Sequence, residues 1–155
     1  MRNKQKGFSL IELLIVVAII LIIAAIAIPN LLRSKIAANQ ASAVGSLRTL
    51  NTACIAFSTS YGQFPAALTN LGPVGSGGTA SSSSADLIDS VLAGGTKSGY
   101  VFTFTAGASN QSYSITATPI TAATTGQNMY YTDQSGVIRV NTSGSGATSG
   151  STPIG

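Results

Sequence analysis

The chain has 155 residues, of which 45% are hydrophobic and 8% charged, with no histidine and one cysteine. That length holds one modest domain beside a membrane segment, a lone cysteine excludes an internal disulfide, and the missing histidine removes the commonest general base. The net charge of +4 does not mark a nucleic-acid binder, because Arg2, Lys4 and Lys6 supply much of it and five basic side chains face four acidic ones from Phe8 onward.

Residues 1–7 read as a short basic leader ending at Gly7. Phe8 to Ile28, FSLIELLIVVAIILIIAAIAI, is an apolar run broken by one charge, Glu12. As a helix it is roughly 32 Å long, the thickness of one bilayer core. An acid at the centre of such a helix costs about 2.5 to 3.5 kcal/mol, and less towards the interface where Glu12 sits. One reading lets the carboxylate reach headgroups and water. The other has it await a cation: cutting between Gly7 and Phe8 would free an amine about one turn away, in this chain or in a neighbour. The leader cations predict a cytoplasmic N-terminus and an exported body, with Arg33 and Lys35 on the far side as a weak counter-signal. A cleavable secretory signal is the competitor, with Ala25-Ile26-Ala27 as its cutting site, but the run is longer than usual and the helical pattern continues through its end.

The membrane segment is set at 8–29. Pro29 is expected to be tolerated as a kink, and residues 30–62 continue as an amphipathic helix. Ile36, Ala43, Leu50 and Phe57 recur every seven residues, interleaved with Gln40, Leu47, Cys54 and Tyr61. Cys54 lies on this stripe and reads as a small buried hydrophobe. Gly62 is the expected C-terminal cap and Pro65 forbids continuation. Residues 63–98 form a loop region in which Leu68–Ala85 lacks periodicity and Asp86 to Leu92 suggests a short helical turn. Over 99–141 the period becomes two: Tyr100, Phe102 and Phe104, then Tyr113, Ile115 and Ala117, then Met129 to Thr132, then Val137 to Val140 after a turn at Asp133 to Gly136. The fold class is therefore α+β, a long N-terminal helix packed against a four-stranded antiparallel sheet. Residues 142–155, rich in Ser, Thr and Gly, are expected to be a flexible tail.

The string KGFSLIELLIVVAIILIIAAIAIP, Lys6 to Pro29, resembles the N-terminal signature of type IV pilins and of the pseudopilins of type II secretion. SLRTLNTACIAFSTSYGQFP more loosely resembles the pilin helix and its exit. The resemblance implies that a prepilin peptidase cuts after Gly7, that Phe8 is N-methylated, and that Glu12 pairs with a neighbour's N-terminal amine. It also implies the pilin-like head, a helical filament of identical subunits, an inner-membrane assembly platform with its assembly ATPase, and lipid as the surrounding before assembly. Leu21 stands where many pilins carry a glycine, and the C-terminal cysteine pair of many major pilins is missing.

A structural subunit of a type IV pilus is the leading functional reading: inner-membrane and single-pass before assembly, then part of a surface fibre. A type II secretion pseudopilin is the alternative, and a conventionally secreted binding domain cut near Ala27 a third. An enzyme is not expected, since Asp86 and Asp89 are the nearest thing to paired carboxylates and suit a solvated helical turn. No cofactor and no metal is expected: Asp86, Asp89 and Asp133 are too few and too scattered for a calcium site.

Overall fold

The computed structural model describes residues 7–154, and the leader up to residue 6, together with Gly155, lies outside the described residues. The chain divides into two compact units, Met1–Lys35 and Ile36–Gly155. One helix, α1, runs from Leu10 to Tyr61 with Pro29 inside it. Proline lacks an N–H, so one backbone bond is lost at Pro29, a cost that 52 helical residues absorb. The helix stops where expected. Gly62 adopts φ +75°, a left-handed conformation that suits glycine, and its N–H bonds to the Ser58 carbonyl at 2.8 Å.

In the first unit the helix has no cover. Its large apolar side chains, Phe8 to Leu32, are 44% to 84% exposed, and none of its most apolar 18-residue window is buried. It is long and apolar enough to cross a membrane.

The second unit is built on the heptad stripe. Ala43, Leu47, Leu50, Ala53, Cys54 and Phe57 are buried, and Ile36 begins the stripe. After the helix come a buried 3-10 turn at Leu68–Leu71 and a one-turn helix, α2, at Ser90–Ala93. The sheet follows in sequence order, all antiparallel: β1 Thr96–Lys97, β2 Tyr100–Ala106, β3 Tyr113–Pro119, β4 Met129–Asp133, β5 Arg139–Asn141 and β6 Thr152–Pro153. Alternation sends Phe102, Ala117 and Tyr130 to the core in one cross-strand row. Small Ala117 between two aromatic neighbours leaves room for both rings.

The sheet has six strands rather than the expected four, because two-residue strands are added at its edges. β1 lies in the expected loop region. β6 lies in the expected flexible tail, where Ile154 packs against the core and its N–H bonds to the Ile138 carbonyl at 2.8 Å. α2 starts later than the Asp86 to Leu92 reading, because Asp89 caps it: Asp89 Oδ1 accepts from the Leu92 N–H at 2.8 Å, and Oδ2 accepts from Lys97 Nζ at 2.9 Å. The Leu92 bond, with help from Lys97, holds the Asp89 carboxyl below its ordinary range.

One polar cluster crosses the helix–sheet interface. Asn51 Nδ2 donates to Thr132 Oγ1 at 2.8 Å and to the Gly136 carbonyl at 3.2 Å, while Asn51 Oδ1 accepts from the Tyr113 hydroxyl at 3.1 Å. Thr132 Oγ1 also lies 3.1 Å from the Val137 carbonyl, to which it donates. Asn51 and Thr132 are buried, so each atom that loses a partner there keeps its full desolvation cost. Elsewhere, a Cβ on Gly126 would collide with the Tyr100 ring and hydroxyl.

Two outcomes are expected. Asn51→Ala removes three bonds and leaves the Tyr113 hydroxyl without its acceptor, so denaturant unfolding of the full chain in detergent should show a loss of about 2 to 3 kcal/mol. Burial pushes the Tyr100 phenol and the Cys54 thiol up to about 12 and raises Tyr113 as well. Groups raised in the folded state add stability that is complete below their unfolded pKa and is lost as pH climbs to the folded one. The melting temperature of the second unit should therefore hold to about pH 9 and fall steeply between about pH 10 and 12.

Candidate functional site: the start of the long helix

The apolar run of the first unit carries polar side chains at its beginning, Ser9 and Glu12. Gly7 to Ser9 have no regular secondary structure, and α1 begins at Leu10. Ser9 Oγ accepts from the Ile11 N–H at 3.3 Å, and the Ser9 N–H donates to Glu12 Oε2 at 2.8 Å. Serine at the cap and glutamate three residues on thus bond reciprocally, the serine oxygen taking the second helical amide, that of Ile11, and the glutamate taking the amide of the cap residue. The carboxylate also lies at the positive end of the helix dipole.

The expected site residues therefore lie within one short stretch, and Glu12 already has a partner there. That partner is an amide of its own chain rather than a cation. The signal was present in the sequence as Ser9-Leu10-Ile11-Glu12, an S-x-x-E pattern ahead of an apolar run. Phe8 is 84% exposed and precedes the cap. Gly7 has nothing within 4 Å of where a Cβ would stand, so no packing within the described chain demands glycine there.

The second unit offers little chemistry. An open groove of about 390 Å³ is walled by Arg48, Thr49, Thr52, Ala53, Ala56 and Leu87, which include no acid–base pair. The Cys54 thiol is fully buried, and its raised pKa keeps it protonated at neutral pH. Among the described residues no three His, Cys, Asp or Glu side chains cluster as metal ligands would.

The chain matches the prokaryotic N-terminal methylation motif over residues 2–28. It is similar to the type IV major pilin protein PilA of Myxococcus xanthus, 52% identical over 50 residues that cover 32% of this chain and 23% of that one. The type IV wide pilus major component PilA4 of Thermus thermophilus is 65% identical over 40 residues, covering 26% and 30%. The type II secretion system core protein G of Aeromonas hydrophila is 31% identical over 64 residues, covering 41% and 45%. The chain thus spans less than half the length of the relatives it matches. No solved structure matches it significantly.

Proposed function

We propose that this chain is a structural pilin subunit that a prepilin peptidase cuts between Gly7 and Phe8 and methylates at Phe8. Residues 1–7 are the leader, 8–29 the membrane anchor and later filament core, 30–62 the amphipathic half of the helix, and the remainder the exported head. The anchor holds the chain in the inner membrane, N-terminus in the cytoplasm, until an assembly platform and its ATPase draw it into a helical fibre of identical subunits. There Glu12 pairs with the amine of Phe8 on an adjacent copy.

The observation that carries this reading is the uncovered apolar helix with its one carboxylate at the start. Such a surface must be solvated by lipid or by other apolar helices. Ala18, Ala24, Ala25 and Ala27 supply small surfaces for close helix packing. A carboxylate placed in that packing disfavours every register that leaves it without a cation. Gly7, which no described residue around it explains, suits recognition by the peptidase. A pseudopilin of type II secretion is the second reading, favoured by the alignment with core protein G. It uses the same helix chemistry in a periplasmic fibre, so fibres on the cell surface separate the two.

Glu12→Ala should leave insertion and processing intact while lowering sheared surface filament at least about tenfold, the scale of a removed buried charge partner. Normal filament from cells expressing only that variant would remove the assembly role. Gly7→Leu should block leader removal, read as an unshortened chain by mass spectrometry. Sequencing the N-terminus of the wild-type protein should begin at Phe8, whereas a start near Ile28 would identify a conventionally secreted domain.

A further inference from the structure

Arg33 and Lys35 are cations that the proposed topology leaves unexplained, because positive side chains beside a span are normally kept on the cytoplasmic side. We propose that they form a collar that binds the anionic phosphates of lipid headgroups where α1 leaves the membrane, an inference that rests on the membrane-anchor reading of residues 8–29. The collar sits at a sharp boundary. Leu31 and Leu32 are still 72% and 44% exposed, whereas Ile36 is 8% exposed and opens the buried stripe of the second unit. Between them Arg33, Ser34 and Lys35 are helical and exposed. From Leu10 to Leu32 the helix is roughly 35 Å long, more than a hydrocarbon core of about 30 Å and less than the roughly 40 to 45 Å that includes the headgroups. With its start at one face of the bilayer, the two cations therefore reach the headgroup layer of the other.

Charge selects an anionic partner. The sequence holds no Asp or Glu between Glu12 and Asp86, and among the described residues the single ion pair joins Lys97 to Asp89. Neither Arg33 nor Lys35 thus has a carboxylate of its own chain among the described residues. Geometry selects lipid over a folded partner. Side chains two apart on a helix are separated by about 200°, so these two point to nearly opposite sides. A folded partner docks on one side of a helix, whereas headgroups surround an inserted helix on every side. The guanidinium fork of Arg33 matches phosphate oxygens, and both stems can lie along apolar surface while their charge stays in the wet layer. Each such cation favours an anionic surface by a factor of about five. Cutting after Gly7 removes Arg2, Lys4 and Lys6. The collar is then the cationic contact that the processed span keeps with lipid.

The test places the full, isotope-labelled chain in phosphatidylcholine bicelles, replaces part of the lipid by phosphatidylglycerol, and follows the Ser34 amide and the Arg33 Nε–H by NMR. Both signals should shift saturably with phosphatidylglycerol and return in high salt. Arg33→Gln or Lys35→Gln should raise the half-saturating fraction read at Ser34 about fivefold, and the two together should leave no saturable shift. Arg48→Gln, in the second unit, should change nothing. A nitroxide on the lipid tail reports insertion separately, by broadening the amides of residues 14–28. Insertion with no shift at Ser34, or a shift that survives the double Gln variant, overturns the collar and leaves the anchor reading standing. A Ser34 shift that follows protein concentration instead of phosphatidylglycerol assigns the collar to a second copy and overturns it too. Amides of residues 14–28 that stay sharp overturn the anchor reading itself, and the collar with it.

Discussion

The controlling physical constraint is an apolar helical segment that the described residues of its own chain leave uncovered. Apolar surface left in water costs roughly 25 cal/mol per Å², and from Phe8 to Leu32 the large side chains are all well exposed. The deficit is therefore removed by another apolar phase, lipid or a bundle of like helices. Lipid accepts the apolar surface but gives poor terms to a carboxylate. A bundle accepts both if it supplies a cation at the right level. In the proposed function Glu12 matters for that reason: the apolar residues give the helix a partition, and the charge would make one arrangement within it preferred.

The second unit solves the opposite problem. It must fold in water without a disulfide, since Cys54 is the one cysteine and is buried. Apolar packing along the heptad stripe provides the bulk of the stabilisation. It is weakly directional, however, and a smooth stripe would permit sliding against the sheet. Asn51 supplies the direction, because its amide finds Tyr113, Thr132 and Gly136 together in only one register. Edge strands are managed as well: β1 and β6 are two residues each, and Pro153 on the outermost strand has no N–H to offer another chain.

Much of this was legible in the sequence because it rests on period. The seven-residue recurrence from Ile36 to Phe57 predicted the buried face of α1, and the period-two runs predicted the four central strands. Gly62 and Pro65 marked the helix end. β1 and β6 were not legible, since two residues carry no period and pair only because β2 and β5 present bonding edges. Asn51 was missed for a related reason: a polar residue beside Leu50 reads as the edge of the stripe until Thr132 and Tyr113, about 60 or more positions away in sequence, are brought beside it. The cap at Ser9 was legible and was outweighed by the stronger signal of a charge in an apolar run.

What covers the helix in the assembled state decides the proposed function. Direct imaging of sheared fibres at a resolution that traces helices answers this. The expected result is that residues 8–32 of successive copies pack against one another along the fibre axis, with Glu12 of one copy beside the Phe8 amine of the next. Fibres built from heads alone, with the apolar helix left in the membrane or removed from the mature chain, would contradict it.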